Sequence, residues 1–374
     1  MVRFLHTADL QIGMPFRWAE ERARQKLRDY REQSIETLGD LAERHEVDFV
    51  LVAGDFFDAN TVGDDVIMRA CRRLGTISVP VYILPGNHDF AGGPDSVYQR
   101  ETFVENKPPS VRVLDRGRAY PLQEEQSVIL AAPLRSPRAT GDTTSHMRPD
   151  LGREEAPDAV RIGLAHGGVV DFSEGEAMNR IDPERAEKAD LDYLALGDWH
   201  GLKQVGERTW YSGTPEPTGF LQNDPGHVLL VEVEAPGALP RVETLDTAQT
   251  RWLQREADLD GAAAIDRLED WFEALGRPLD TLVRLEIRGQ LGLEEHERLE
   301  RLLEDMENTL LALRRRGPGI VPRPRPEELE ALATDGYVGL AVERLRERAE
   351  GPGEESETAG RALELLYRLQ QESG

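Results

Sequence analysis

Polar residues that can bind a metal ion follow directly after five short apolar runs in the first 200 residues. Apolar runs of this length, bounded by glycine or turn residues, predict buried β-strands. After each run, the side chains that follow include carboxylates, amides or imidazoles. The residues concerned are Asp9 and Gln11, Asp55 and Asp58, Asn87 and His88, His166, and Asp198 and His200.

The position of these residues at strand ends indicates a shared site. In layered α/β proteins the ends of neighbouring strands converge, and binding sites are built there. Taken singly, each motif is a weak signal, because Gly-Asp and Gly-Asn-His are also ordinary turn sequences. Together and in this order, they predict one site assembled from distant parts of the chain.

An α/β fold is predicted because these runs alternate with longer helical stretches. Two helices are predicted, over residues 19–45 and 64–74, and the polar, proline-containing stretch 135–158 predicts a long loop. We expect the strands to stack as two sheets with helices outside. The predicted strands are Val2–Leu5, Asp48–Ala53, Val79–Leu84, Val128–Ala131, Arg161–Ala165 and Tyr193–Leu196.

The 374 residues are enough for about two domains, and the sequence changes character after residue 235. Beyond Trp252 the pattern predicts helix, strand and helix, with Leu313 on the apolar stripe of the second helix. The predicted segments are a first domain over 1–245, a small second domain over 246–316, a Pro-rich linker over 317–326 and a helical segment over 327–374. An apolar stripe at 362–369 either packs on the protein's own body or binds a partner.

Charge and composition exclude several classes of protein. The net charge of −25, from 70 acidic and 45 basic residues, argues against binding nucleic acid across the bulk surface. Bound metal ions can reverse the local field, so a nucleic-acid enzyme is not excluded. The acidic, lysine-poor surface reflects either a salty cytoplasm or a partner. Cys71 alone cannot form an intrachain disulfide, and the lack of a long apolar run predicts a cytoplasmic protein.

The candidate ligands are oxygens and imidazoles without thiolates, which suits manganese, iron, magnesium or zinc. A carboxylate shared between two ions permits a metal pair about 3.5–4 Å apart, the geometry for in-line displacement at phosphorus. Two nearby aromatic residues are considered separately. His6 lies inside a predicted strand, so we expect it to be buried and hydrogen-bonded. Trp199 either lines a substrate entrance or packs at the end of its strand.

The motif order is similar to that of the calcineurin-like metallophosphoesterases. The matching motifs are Asp9-x-Gln11, Gly54-Asp55-x-x-Asp58, Gly86-Asn87-His88-Asp89, His166 and Gly197-x-x-His200. Residues 4–9 (Phe-Leu-His-Thr-Ala-Asp) and 211–220 (Tyr-Ser-Gly-Thr-Pro-Glu-Pro-Thr-Gly-Phe) more narrowly resemble the SbcD-type DNA-repair exonucleases. The resemblance covers residues 1–250. It implies a two-sheet αββα sandwich, and the segment 246–316 is compatible with the family's α/β capping domain.

The resemblance also implies a site with two divalent metal ions. One ion is held by Asp9, Gln11, Asp55 and His200, and the other by Asp55, Asn87, His166 and Asp198, with Asp55 bridging. His88 is then not a ligand. It stabilises the transition state or protonates the leaving oxygen, oriented by Asp58, while a metal-bridging hydroxide attacks phosphorus in line.

Two positions depart from the family pattern, because Gln11 and Asp198 stand where the family usually has histidine. An amide oxygen is a weaker ligand than imidazole, and Asp198 adds a third carboxylate to the site. We therefore expect a less positive site that favours manganese, with magnesium or iron as alternatives, over zinc. Such a site predicts slower activity or a different substrate.

The leading functional hypothesis is a DNA phosphodiesterase, an exonuclease or endonuclease subunit of a DNA-repair complex. By resemblance it works with an SbcC-like coiled-coil ATPase that binds its C-terminal helices, and it forms a homodimer. The first alternative is a phosphoesterase for nucleotides or other small phosphodiesters. The second is a non-catalytic scaffold or regulator of the ATPase.

Overall fold

The computed structural model describes residues 1–122, 126–169, 178–220, 223–317, 319–320, 337–349, 351 and 354–373. The chain divides into two compact units, Met1–Thr250 and Arg251–Gly374. Most of the predicted linker 317–326 and the beginning of the segment 327–374 lie outside the described residues. No helix in the described ranges is long and apolar enough to cross a membrane.

The first unit contains a six-stranded sheet whose central strands are parallel. From one edge to the other, its strands are β14 (Arg241–Asp246), β13 (His227–Val233), β1 (Val2–Thr7), β2 (Phe49–Val52), β3 (Val81–Ile83) and β4 (Val111–Val113). Strands β1 to β4 run parallel, whereas β13 is antiparallel to both of its neighbours. Consequently the carboxyl ends of β1, β2 and β3 lie at one edge of the sheet.

A second six-stranded sheet also has four parallel strands. Its strands, in order, are β11 (Lys203–Gln204), β12 (Thr209–Tyr211), β10 (Tyr193–Gly197), β7 (Val160–His166), β6 (Ser127–Ala132) and β5 (Ala119–Leu122). The four inner strands are parallel and the two edge strands are antiparallel to their neighbours. A separate two-stranded ribbon pairs β8 (Gly168–Val169) with β9 (Arg180–Ile181).

The two sheets pack face to face, and alternate residues on each strand point to opposite sides. Phe4 on β1 and Phe49 on β2 stack with ring centroids 5.1 Å apart and share one buried cluster with Ile162 and Tyr193 of the second sheet. Leu5, the next residue on β1, belongs instead to the cluster beneath the helices. The predicted two-sheet sandwich is therefore confirmed.

The first sheet is covered by helices α1 (Glu21–Arg44), α2 (Asp64–Leu74) and α3 (Glu101–Asn106). Ile35, Leu38 and Ala42 recur at helical spacing along α1 and are buried against the sheet. The outer face of the second sheet is covered differently, by the short helix α4 (Arg185–Lys188) and by the turns of residues 135–158, from which Met147 is fully buried. Both predicted helices are confirmed, with ends shifted by at most two residues for the first.

The second unit corrects the prediction made for the chain beyond Trp252. In this unit the predicted helix, strand and helix are present, but a nine-residue strand precedes them and a five-residue strand follows, so that three parallel strands form a sheet. Its elements are β15 (Arg251–Leu259), α5 (Ala262–Glu273), β16 (Thr281–Gly289), α6 (Leu293–Thr309) and β17 (Ala312–Arg316). Leu313 lies on β17, not on the preceding helix, which ends at Thr309. The strand β15 is mostly exposed, and charged residues interrupt its apolar positions. The sequence pattern therefore does not predict a strand there.

Two helices complete the described chain, α7 (Tyr337–Ala349) and α8 (Glu354–Ser373). They are packed on the second unit through a small buried cluster formed by Val342, Leu363 and Leu293 of α6. The apolar stripe of α8 is divided, because Leu366 packs on this cluster whereas Leu365 and Leu369 are about half exposed. The roles predicted for residues 246–316 and 327–374 stay predictions.

His6 is buried between the sheets, as expected from its position inside β1. Its Nε2–H donates to the carbonyl of Leu196 (3.2 Å), and its Nδ1 therefore accepts from the Tyr193 hydroxyl (2.9 Å). Burial lowers the pKa of His6 to about 3. The folded chain thus holds this imidazole neutral, whereas the unfolded chain protonates it near pH 6.5.

We expect the free energy of unfolding to fall on acidification because only the unfolded state takes up this proton. The His6 contribution is present above pH 6.5 and decreases progressively between pH 6.5 and 3, by about 2 kcal/mol between pH 7 and 5. Urea denaturation at these two pH values should show a smaller loss for His6→Gln than for the parent chain. His45→Gln, at the end of α1, serves as the control. Equal losses in the parent and His6→Gln would contradict the assignment.

Candidate metal-dependent active site

The site lies where the carboxyl ends of strands from both sheets meet. The loop after β1 is tied to the loop after β2, since Asp9 N donates to Gly54 O (3.1 Å) and Gln11 N donates to Asp55 O (2.9 Å). In the second sheet, Gly167 N donates to Gly197 O (3.1 Å) after β7 and β10. These main-chain bonds bring together residues that are far apart in the sequence.

Asp55 and His166 form the centre of the site, and both are almost completely buried. The His166 Nε2 lies 3.4 Å from Asp55 Oδ2, 2.8 Å from Asn87 Oδ1 and 3.8 Å from Asp198 Oδ1. Ligand atoms of Asp9, Asp55 and His166 all lie within 4.8 Å of one another, a spacing that allows them to hold metal ions. The side chains predicted to bind the second ion therefore lie around His166 Nε2.

The residues predicted for the first ion meet on the other side of Asp9. The His200 Nε2 lies 3.7 Å from Asp9 Oδ1, and the side-chain amide of Gln11 lies 3.4 Å from the same nitrogen. The remaining Asp9 oxygen, Oδ2, accepts from the main-chain N–H of Asp198 at 3.1 Å. All the predicted ligands are thus brought into one centre.

His88 is placed beside this centre, with its Nε2 3.9 Å from Asp55 Oδ2 and its side chain partly exposed. Its Nδ1 lies 2.8 Å from the main-chain carbonyl of Asp58. The structure therefore ties Asp58 to His88 through the backbone rather than through the Asp58 carboxylate. Burial raises the pKa of that carboxyl, opposed by His88 and Arg31.

The three site imidazoles share one orientation. In each, Nδ1 faces an oxygen: Ala53 O for His166 (2.8 Å), Asp58 O for His88 (2.8 Å) and Thr218 Oγ1 for His200 (2.6 Å). A carbonyl can only accept, so Nδ1 carries the proton in His166 and His88, and the Thr218 hydroxyl allows the same tautomer in His200. The Nε2 atoms are then directed to the carboxylates, which is the arrangement that second-sphere hydrogen bonds create in metal sites.

Four of the predicted ligands have a strained backbone conformation. Their φ values lie in the left-handed region, which residues other than glycine seldom adopt. The values are 55° for Asp9, 46° for Gln11, 53° for Asp55 and 96° for Asp198. Each such residue costs about 1–3 kcal/mol, and such costs persist where the surrounding structure enforces them, typically at functional sites. The strain therefore supports these positions as functional.

Glycine before Asp55 and before Asn87 permits the close packing of the centre. A Cβ at Gly54 (φ 96°) would lie 2.1 Å from His166 Nδ1, and a Cβ at Gly86 would lie 2.1 Å from Asp55 Oδ1. Both distances are shorter than side chains tolerate. The glycines of the Gly-Asp and Gly-Asn-His motifs thus have a steric role at the site, beyond ordinary turn chemistry.

Three supporting residues were missed by the sequence reasoning: Asp89, Arg31 and Thr218. Asp89 is fully buried, accepts from Gly86 N (2.7 Å) and Phe57 N (3.0 Å), and also accepts from the Tyr98 hydroxyl. Burial and the nearby Asp55 raise the pKa of Asp89 to about 6. Its position directly after His88 was a signal available in the motif, whereas Arg31 and Thr218 act across long sequence separations.

The electrostatics of the centre favour binding a cation. Burial alone would lower the pKa of His166, but the carboxylates of Asp55, Asp9 and Asp198 raise it well above its usual range. Burial and the neighbouring carboxylates also raise the pKa of Asp9 well above its usual range. In contrast, burial and the charge of Arg31 lower the pKa of His200 to about 4, so this imidazole is neutral and able to act as a ligand. A centre that attracts protons this strongly also attracts metal cations.

Two buried side-chain oxygens without hydrogen-bond partners indicate that the site fits a metal ion. Asp9 Oδ1 and Gln11 Oε1 are inaccessible to solvent and have no hydrogen-bond partner. Buried polar atoms without partners are costly, and a bound cation is one of the few groups that satisfies a lone pair facing other acceptors. The donor set of carboxylates, amides and imidazoles therefore fits divalent ions.

A family model described as calcineurin-like phosphoesterase matches residues 2–231, which is more than half of the chain. The chain belongs to this family. It is thus a metal-dependent hydrolase of phosphoric esters, and its site residues lie within the matched range.

Three curated relatives place the chain more narrowly. The SbcD subunit of the nuclease SbcCD from Escherichia coli K12 is 24% identical over 92% of this chain and 94% of its own length. The DNA double-strand break repair protein Mre11 of Sulfurisphaera tokodaii is 24% identical over 53% of this chain and 49% of its own. The metallophosphoesterase YhaO of Bacillus subtilis is 24% identical over 53% of this chain and 48% of its own. The chain is thus similar to the SbcD subunit along nearly its whole length, and it spans about half the length of the other two relatives.

Thr218 provides a test of how His200 is oriented. Thr218→Val removes the oxygen that faces Nδ1 while keeping the side-chain shape, so we expect Mn²⁺ affinity to fall about 10–100-fold in calorimetric titration. Thr218→Ser keeps the hydroxyl and should restore most of the affinity. Binding by Thr218→Val as tight as in the parent chain would show that this hydroxyl does not orient the ligand.

Proposed function

We propose that this phosphoesterase uses two divalent metal ions to hydrolyse DNA phosphodiester bonds, as the nuclease subunit of a DNA-repair complex. The observation that carries the chemistry is the convergence of Asp9, Asp55 and His166 on one buried centre. Support for DNA comes from the alignment with the SbcD subunit of the nuclease SbcCD across 92% of the chain. Exonuclease and endonuclease activity are both compatible with this proposal.

Two ions held at this centre would neutralise charge on the phosphoryl oxygens and lower the pKa of a water nucleophile. Asp9, Gln11, Asp55 and His200 are the residues that we assign to one ion, and Asp55, Asn87, His166 and Asp198 to the other. Asp55 would be shared by the two ions, because its carboxylate lies within 4.8 Å of ligand atoms of Asp9, assigned to one ion, and of His166, assigned to the other.

His88 is assigned to the phosphodiester rather than to a metal. Its Nε2 faces the centre while the Asp58 carbonyl holds Nδ1, and its side chain remains accessible to a substrate. From this position the imidazolium form, with its Nδ1–H held by the Asp58 carbonyl, donates its Nε2–H as a hydrogen bond to a phosphoryl oxygen or as a proton to the leaving oxygen. Asp58 is a positioning residue through its main chain.

Activity on DNA is tested with manganese and end-labelled single- and double-stranded DNA, alongside a small phosphodiester reporter. We expect DNA to be degraded by the parent chain and kcat to fall about 10²–10⁴-fold in His88→Ala. Metal analysis should show the same manganese content in both, because His88 is not a ligand. His45→Ala, at the end of α1, is the matched control. Undiminished turnover by His88→Ala would overturn its assignment.

The leading alternative is a phosphoesterase for nucleotides or other small phosphodiesters. The net charge of −25 and the third carboxylate at Asp198 favour it, because both reduce attraction for a polyanion. Cleavage of the reporter without cleavage of DNA would support this alternative. A non-catalytic scaffold is the remaining candidate, and tight binding of two ions with turnover would exclude it.

We assign manganese to the site because Gln11 and Asp198 supply hard oxygen donors where imidazoles are usual. Replacing both, in Gln11→His with Asp198→His, should raise the ratio of zinc to manganese affinity measured by competition titration. Gln11→Glu is the matched control, since an added carboxylate should shift the ratio in the opposite direction. A ratio unchanged in both variants would refute a role for these positions in metal choice.

The remaining parts of the chain are assigned to partners. We propose that residues 246–316 form the capping domain and that residues 327–374 dock an SbcC-like coiled-coil ATPase in the cytoplasm. The half-exposed Leu365 and Leu369 on α8 provide an apolar surface for such docking. The ATPase would contribute the basic DNA-binding surface that this acidic chain lacks, and a homodimer is part of the same proposal.

A further inference from the structure

Trp199 is exposed in the middle of the ligand loop after β10. It stands between Asp198 and His200, and 44% of its surface is accessible to solvent. The indole is thus accessible to a substrate, which favours the first of the two expectations for this residue, that it lines an entrance. Large aromatic side chains gain free energy when they are covered, so an indole left accessible beside a reaction centre is typical of a binding surface.

Lys203 accompanies the indole. It is the first residue of the edge strand β11, and its Nζ lies 5.0 Å from the centroid of the Trp199 ring. The pairing of Lys203 with Tyr211 of β12 fixes its backbone. Tyr211 in turn donates its hydroxyl to Gly167 O (2.7 Å), directly after His166. The cation and the indole are thus attached to the same framework as the metal ligands.

The combination of Trp199 with Lys203 suits a particular class of ligand. Lysine is scarce in this chain, with four residues against a net charge of −25, and one of them is held beside the active site. An exposed indole offers a flat apolar face, and an ammonium offers a charge for an anion. Nucleotides combine a flat base with a phosphate, and aromatic stacking with nearby cations is how single-stranded nucleic acids are bound without base-specific hydrogen bonds.

We propose that Trp199 and Lys203 form a nucleoside subsite, in which the indole stacks on a base next to the scissile phosphodiester and the ammonium binds a neighbouring phosphate oxygen. The inference rests on the proposed phosphodiesterase function and adds the substrate class that this site takes. A base inside a duplex has both faces covered by its neighbours. The subsite therefore favours single-stranded segments and unpaired ends over continuous duplex.

The test compares substrates with and without the base. Dithymidine phosphate is hydrolysed in parallel with two analogues, each lacking the base on one side of the phosphodiester, and kcat/KM is measured for each with manganese. The parent chain should prefer dithymidine phosphate to one of the analogues by about fivefold to a hundredfold. In Trp199→Leu this preference should fall to near one, and in Trp199→Phe it should return. Because the ratio is taken on the same preparation, it is insensitive to differences in metal content.

The control variants separate stacking from charge. Lys203→Gln should leave the base preference intact, because these three substrates carry no phosphate beside the scissile one. On single-stranded oligothymidylate, which has neighbouring phosphates, the same variant should lower kcat/KM and weaken its salt dependence. Tyr30→Leu removes an aromatic ring with a lysine, Lys26, 5.3 Å from its centroid on α1, and should leave the preference intact.

Each outcome of this experiment has a distinct meaning. If the parent chain cleaves all three substrates equally, or if Trp199→Leu keeps the full preference, the nucleoside subsite is overturned while the phosphodiesterase function stands. If the parent chain cleaves none of the substrates and no DNA, the proposed function itself fails, and the subsite fails with it.

Discussion

A single buried guanidinium joins the two loops that flank one side of the site. Arg31, on α1, donates to the main-chain carbonyls of Leu10 (2.5 Å), Glu216 (2.9 Å) and Pro217 (2.9 Å). Leu10 lies between the first two predicted ligands, and Pro217 precedes Thr218, which faces His200. Burial lowers the pKa of Arg31 to about 10, so the group stays charged at neutral pH. Since a buried charge without its partners costs several kcal/mol, these loops cannot separate independently.

The charge of Arg31 also balances a centre that is otherwise strongly acidic. Glu216, Asp58 and Asp9 act on Arg31 to oppose the effect of burial. The negative charge of the site carboxylates also raises the pKa of His166, which shows that the centre has a negative potential. An acidic protein with an acidic centre repels phosphate. Bound metal ions and nearby side-chain cations are therefore what make a phosphodiester substrate acceptable at this site.

The sequence predicted those parts of the site that depend on local pattern. Asp55 and His166 were found because each directly follows a buried strand, and parallel strands bring such ends together whatever lies between them. Arg31 and Thr218 were not found, because a polar residue in an amphipathic helix or in a proline-containing loop has no local signal for its partner. The strand β15 was missed for a related reason, since only Leu253, Ala257 and Leu259 pack on the core of the second unit and a charged residue interrupts their alternation.

The residues of the site differ in how tightly the surrounding structure holds them. Asp9, Asp55 and His166 are buried, and glycines and strained backbone hold them in place, so a change in any of them would disturb the whole centre. Asp198 and Trp199, in contrast, lie in an accessible loop. A different side chain there changes the contacts with a substrate or an ion without changing the packing of the buried residues. This arrangement allows the hydrolytic chemistry to be kept while metal preference and substrate contacts change. Of the two positions that depart from the family pattern, Asp198 is accessible, whereas Gln11 is buried beside His200. A change at position 198 therefore leaves the packing of the centre intact, while a change at position 11 must fit the buried ligands.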